Sequence, residues 1–199
     1  AKKRYILNVW DSEGVRYNEP SLKIMGIEAV KSSTPSSCRG ALRDVLKLMM
    51  NTDERKVQQF VKDFEKKFKS LPTDEIAFPR SCNNLKKYHH PKELYGAHCP
   101  IHVRGVLLYN NSIKEKNLTH KYPLIQEGEK IKFIYLKTPN PLHENCVSFF
   151  SNIPPEMNLD KYVDYQLQFE KSFLEPLKNV LQCVGWTHEK KITIGSFFA

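Results

Sequence analysis

Long apolar runs are missing from this 199-residue sequence. The longest, such as Ile131 to Leu136 and Gly105 to Tyr109, are short or broken by lysine, far below the ~20 residues that a membrane helix needs. No membrane partner is expected. An apolar leader is missing too, because Lys2-Lys3-Arg4 runs straight into the alternating residues Tyr5 to Trp10, so export through a standard signal peptide is not expected. There is no CxxC pair. The five cysteines, at 38, 82, 99, 146 and 183, are odd in number and scattered, which suits free thiols in a reducing compartment such as the cytoplasm. Walker, GxGxxG, GxSxG, HExxH and zinc-deaminase signatures are also absent, so the sequence shows no enzyme motif of its own.

What the chain has in surplus is positive charge on a composition able to fold. Hydrophobic residues make up 40% and aromatics 11%, which excludes a disordered or collagen-like chain. Lysine and arginine total 31 against 22 acidic residues, a net charge of +9. Such a surplus attracts polyanions, usually nucleic acid, with anionic lipid or simple solubility as the other readings. The metal-capable residues Cys82, His89, His90, His98, Cys99 and His102 include one finger-like Cys-x-x-His. Structural zinc needs four convergent ligands, and adjacent histidines make a poor second pair, so ordinary loop and core roles are expected and a zinc-stabilised module is the alternative. No cofactor is assigned to this chain.

The pattern predicts an α+β fold. Residues 4–10 alternate, Asp11 to Gly14 supply a turn and Arg16-Tyr17 begins a return, which reads as a β-hairpin. A further extended segment is expected from Leu22 to Val30, with Gly26 marking a bulge or a close backbone approach. So small a sheet is marginal alone, and it is expected to complete one supplied by something else. Thr34 and Pro35 are read as the N-cap and first residue of a helix carrying Ala41, Val45, Leu48 and Met49. A second helix starts near Thr52 or Asp53, with Val57, Phe60, Val61, Phe64 and Phe68 on one face. Ser81 to Cys99 reads as a basic, His-rich loop near solvent or a ligand. A helix follows, carrying Val103, Val106, Leu107, Asn110 and Ile113, and then a strand at Ile131 to Leu136 paired with Cys146 to Phe150. The span from about Leu159 to Val184 reads as one helix or two, kinked by Pro176 and stopped by Gly185. Phe197 and Phe198 would tuck into the chain's own core or dock in a partner's pocket.

Lys2-Lys3-Arg4-Tyr5 mixes phosphate-seeking charge with an aromatic residue where a strand begins. The collinear series from this KKRYILNVWD segment through EPSLKIMGIE, KSSTP, CPIHVRGVL and FLEPL resembles the C-terminal part of family B DNA polymerases of the T-even bacteriophage type, over nearly the whole chain. The resemblance implies short antiparallel strands at the end of the polymerase palm in residues 1–30. It implies a mainly helical thumb with a small β insertion in 31–188 and a sliding-clamp-binding tail in 189–199. The function implied is that part of a replicative DNA-directed DNA polymerase, binding primer–template duplex and the clamp. A free-standing basic DNA-binding protein is the alternative.

By the same resemblance, Lys3 reaches minor-groove acceptors, with Lys2, Arg4 and Tyr5 positioning the strand. Lys31, Ser32, Ser33 and Thr34 meet phosphates where duplex leaves the palm, and His102, Arg104, Tyr109 and Lys171 face it from the thumb. Three family lysines fall on His98, Asn145 and Glu175, so the grip is expected to lean more on Lys86, Lys87 and Lys171. Ile194, Phe197 and Phe198 keep the apolar character of the clamp peptide. The carboxylate motifs DxxSLYPS and YxDTDS are absent, so Mg²⁺ is expected in the active site of an N-terminal polymerase part and this chain alone is expected to be inactive. The chain is then a fragment or one subunit of a divided polymerase in the cytoplasm of an infected bacterium.

Overall fold

The structure, a computed structural model, describes residues 3–190; Lys2, Ile194, Phe197 and Phe198 lie outside the described residues. The fold is α+β. In chain order the elements are strands β1 (Tyr5–Ser12) and β2 (Val15–Met25), helices α1 (Ser36–Asn51), α2 (Glu54–Phe68) and α3 (Thr73–Ile76), and strand β3 (Phe78–Ser81). Then come helix α4 (Leu85–Tyr88), strands β4 (His89–His90) and β5 (Leu94–Tyr95), helix α5 (Ile101–Glu115), strands β6 (Lys130–Tyr135) and β7 (Cys146–Phe149), and helices α6 (Tyr165–Phe169) and α7 (Glu175–Leu181). They form two compact units, one of residues up to Ser70 together with those from Phe169 on, the other Leu71–Gln168.

In the first unit β1 and β2 pair antiparallel, from Tyr5 opposite Met25 to Ser12 opposite Val15. Glu13 and Gly14 both take left-handed φ, at 53° and 80°, the type I′ geometry that matches strand twist in a two-residue hairpin. The extended segment expected to follow Pro20 is not separate. Pro20 falls in an irregular stretch between the Val9–Ser21 and Asp11–Arg16 pairs, a place in a ladder that tolerates a missing N–H. That segment ends at Met25, and Glu28–Val30 is a 3₁₀ turn rather than strand.

Helix α1 starts one residue later than expected, with Pro35 rather than Thr34 at its N-cap. It buries Cys38, Ala41, Leu42, Val45 and Leu46, so the apolar stripe turns toward Leu42 and Leu46 instead of Leu48 and Met49. Asp53 caps α2 by accepting the Lys56 amide at 3.0 Å. The core is aromatic. Phe64 and Phe173 have ring centroids 4.7 Å apart, Phe68 and Phe169 5.2 Å, and Phe169 and Phe173 5.3 Å, spacings at which ring pairs add to their area burial. After α6 the chain makes a π-helical turn, Glu170–Leu174, whose closing amide at Glu175 bonds the Glu170 carbonyl. Pro176 explains it. Its ring would collide with the carbonyl four residues back and offers no N–H there, and a wider turn relieves the clash without breaking the helix. Past α7, the Gln58 side-chain amide donates to the carbonyls of Thr187 and Glu189 at 3.1 Å each, and the Thr187 amide donates to Glu54 at 2.6 Å.

In the second unit three antiparallel strands run in the order β3-β6-β7. The β6–β7 pairing agrees with the sequence pattern; β3 was not anticipated. Its four residues include Pro79, which an edge strand accommodates. Helix α5 crosses β7 at Gly105. A β-carbon there would stand 2.6 Å from Ser148 Oγ and 2.8 Å from the Ser148 amide nitrogen. The Ser148 hydroxyl donates to the His102 carbonyl at 2.8 Å, which stitches strand to helix. Asn110 fastens the same helix to the loop before β6 by bonding both the amide and the carbonyl of Ile125, at 2.8 and 2.9 Å.

Because the obstacle at Gly105 is backbone, Gly105→Ala should destabilise the protein by about 1–3 kcal/mol. Gly40→Ala, at a helical glycine with open space around it, should stabilise by about 0.5–1 kcal/mol. Urea unfolding midpoints check both, and equal midpoints would remove the close approach from the account.

Candidate nucleic-acid interface

The residues singled out above are divided between the two units. In the first, Gly26 has φ +68° and the Lys3 carbonyl occupies the place of its missing side chain, with Arg4 Cγ 3.1 Å from that position. The backbone of Lys3 and Arg4 therefore lies against the turn that leads to Glu28. Lys31 Nζ pairs with Glu28 Oε1 at 2.6 Å. Burial pushes the Glu28 carboxyl up, but hydrogen bonds from Lys31 and its own backbone, with the charges of Lys31 and Arg4, outweigh this and hold it below the ordinary range. Arg4 and Lys31 thus share one carboxylate, with Tyr5 half-buried at the start of β1. Ser32 and Ser33 are exposed in the turn that follows, whereas Thr34 is buried.

Lys171 belongs to the same unit, on the π turn, where its Nζ pairs with Glu175 Oε1 at 2.5 Å. Beside Arg4 and Glu28 an apolar cavity of about 440 Å³ is lined by Tyr5, Ile6, Leu46, Met49, Val180 and Trp186. The outer parts of the hairpin expose Leu7, Trp10, Val15, Tyr17 and Met25, each at 40% or more.

In the second unit Lys86 and Lys87 are exposed on the single turn α4. Arg104 is engaged internally: its Nη2 donates to Asn145 Oδ1 at 2.5 Å, its Nε lies 3.8 Å from Glu144 Oε2, and its guanidinium stacks 5.7 Å over the Tyr95 ring. Tyr95 in turn bonds Glu144. Tyr109 is 2% exposed and donates to the Pro123 carbonyl at 3.3 Å. His102 is partly buried, its ring 6.3 Å from that of Phe133. Sequence reasoning missed the carboxylates Glu28 and Glu144 that sit beside these cations; their signal was spacing of three residues from Lys31 for the first and none for the second. Among the described residues no three His, Cys, Asp or Glu side chains converge on a metal position. The five cysteines are free, and no helix among the described residues is long and apolar enough to cross a membrane.

Burial, and then the charge of Arg80, hold the His102 imidazole below its ordinary value of 6.5. A depressed histidine favours the fold while neutral, and that contribution is lost as pH falls below the unfolded value toward the folded one. Stability should therefore drop between pH 7.5 and 5.5. His188, depressed by burial and Lys178, acts in the same direction, so the stability difference between the wild-type protein and His102→Gln should shrink at the lower pH. Urea midpoints at both pH values test this, and a difference that grows on acidification would refute it.

No protein-family model matches the chain. Two curated proteins do. The DNA-directed DNA polymerase of Enterobacteria phage T4 is 35% identical over 202 residues, which take in 100% of this chain and 22% of the relative. That of Escherichia phage RB69 is 39% identical over 201 residues, 99% of this chain and again 22% of the relative. The chain therefore spans about a fifth of the length of these relatives. Matched from end to end, it is a relative of one stretch of the T-even-type phage DNA-directed DNA polymerases.

Proposed function

We propose that the chain is the duplex-gripping part of a replicative DNA-directed DNA polymerase: the end of the palm in residues 1–30, the thumb in 31–188 and a clamp-binding tail in 189–199. The observation that carries this reading is the full-length match to two phage polymerases at 35% and 39% identity. The net charge of +9 supports it, since duplex affinity rests mainly on phosphate neutralisation.

In this reading Lys3 donates to minor-groove N3 and O2 acceptors, which every correct base pair displays, so it checks pair geometry without reading sequence. Arg4, Lys31, Ser32 and Ser33 hold adjacent phosphates, and Lys86, Lys87 and Lys171 add charge along the duplex. Arg104, tied to Asn145 and Glu144, acts more by shaping the surface around His102. Ile194, Phe197 and Phe198 enter a sliding clamp, where tethering on DNA makes weak contacts sufficient.

The catalytic magnesium ions belong to the remaining part of the polymerase. In that chemistry two metal ions stabilise the attacking and leaving oxygens, and the carboxylate motifs DxxSLYPS and YxDTDS are absent from this sequence. The apolar side chains exposed on the hairpin support a second polypeptide segment as its cover, whether joined covalently or carried by a separate subunit. The place of action is the cytoplasm of an infected bacterium.

Mixing this chain with the remainder of the polymerase should restore primer extension in Mg²⁺, with neither part active alone. Lys3→Ala should lower extension while leaving clamp affinity unchanged, and deleting residues 192–199 should lower clamp-dependent processivity only. Failure of the two parts to associate would overturn the reading.

A further inference from the structure

Three cations assigned to the duplex already have an internal anion. Lys31 Nζ sits 2.6 Å from Glu28 Oε1, Lys171 Nζ 2.5 Å from Glu175 Oε1, and Arg104 Nε 3.8 Å from Glu144 Oε2. The two lysine pairs are local, spaced i,i+3 and i,i+4, so the backbone delivers each carboxylate to its lysine whatever else is bound. They are also wet. The side chains of Lys31 and Glu28 are 38% and 30% exposed, and those of Lys171 and Glu175 40% and 45%, so each pair is weak and open to competition from solution. Elsewhere the protein uses the same spacing for an ordinary helix-surface pair, Lys69 with Glu65; what distinguishes Glu28 is that it also faces Arg4, across the contact that Gly26 makes with Lys3 and Arg4.

We infer that Glu28 and Glu175 are built-in phosphate surrogates: positioning residues that hold Lys31 and Lys171 extended in the free protein and are displaced when DNA phosphates take their place. This rests on the duplex-gripping reading above and adds to it the control of grip strength. Exchange has a definite electrostatic signature. A phosphate neutralised by a free lysine releases nearly one condensed counterion. When the lysine must leave a carboxylate, that carboxylate takes up a cation from solution, and the two effects partly cancel. The protein therefore binds duplex less tightly, and with a shallower salt dependence, than its count of basic residues implies. A moderate grip suits a protein that must advance along DNA.

The test uses the whole chain and a fluorescent primer–template duplex titrated over a range of NaCl concentrations. Glu28→Gln and Glu175→Gln, both isosteric and at partly exposed positions, should each tighten binding about 1.5- to fivefold at low salt. Each should also steepen the slope of log K against log salt by up to about one. Asp63→Asn on α2 measures the effect of removing one negative charge anywhere. Lys171→Met should abolish the gain from Glu175→Gln while leaving that from Glu28→Gln. Glutamine variants that match Asp63→Asn, or a Glu175→Gln gain that survives Lys171→Met, would overturn the inference and leave the duplex reading standing. Wild-type protein that binds duplex with no salt dependence would instead remove the duplex reading itself, and the inference with it.

Discussion

At Gly26 the backbone turns through a φ of +68° with the carbonyl of Lys3 where a side chain would begin. No L-residue with a β-carbon adopts that conformation beside that carbonyl without moving one of them. The contact fixes the base of the hairpin against the 3₁₀ turn at Glu28–Val30, and through it the start of α1. Arg4 and Lys31, from opposite ends of the hairpin, meet around Glu28 as a result. The aromatic core of α2 and the π turn then hold α1 and α7 in place beneath. The chemistry of the first unit follows from a missing methyl group and a cluster of four phenylalanines.

Each unit solves a different packing problem. The first has helices to supply its core and a hairpin left largely outside it, with Trp10 and Val15 more than half exposed. Such a ladder gains little from burial and, among the described residues, has no further strand on either long edge. The second closes on itself: a three-stranded sheet covered by α5 at the distance that Gly105 allows, with Gln168, fully buried, bonding the Ile76 carbonyl at 2.6 Å and the Tyr135 amide at 3.2 Å. Arg104 and Tyr109 turn to internal partners there, although Arg104 Nε and Ser112 Oγ are buried without a hydrogen bond, while Lys86 and Lys87 face water.

Much of the fold was legible in the sequence, where period and turn chemistry were strong. The hairpin, the αα pair capped by Asp53, the helix after Cys99 and the pairing of Ile131–Leu136 with the strand at Cys146 all follow from local pattern. The misses share a cause, which is that tertiary contact overrides a local signal. Residues 27–30 leave the strand because Gly26 redirects the chain, β3 forms across a proline because β6 lies beside it, and the helix expected to kink at Pro176 takes a π turn just before it. The cationic character was legible as composition and as a resemblance, but its geometry was not: nothing in the spacing of Arg4 and Glu28 announces that they are neighbours.

Under the proposed function, the hairpin at residues 5–25 is half of a structure that another part of a polymerase completes. Hydrogen exchange at the amides of Arg16 to Glu19 and of Ser21 to Met25 distinguishes a completed hairpin from an uncovered one. In the chain alone those amides should exchange with little protection, and they should become protected when the remainder of the polymerase is added. Strong protection in isolation, cooperative with the helical core, would contradict the claim.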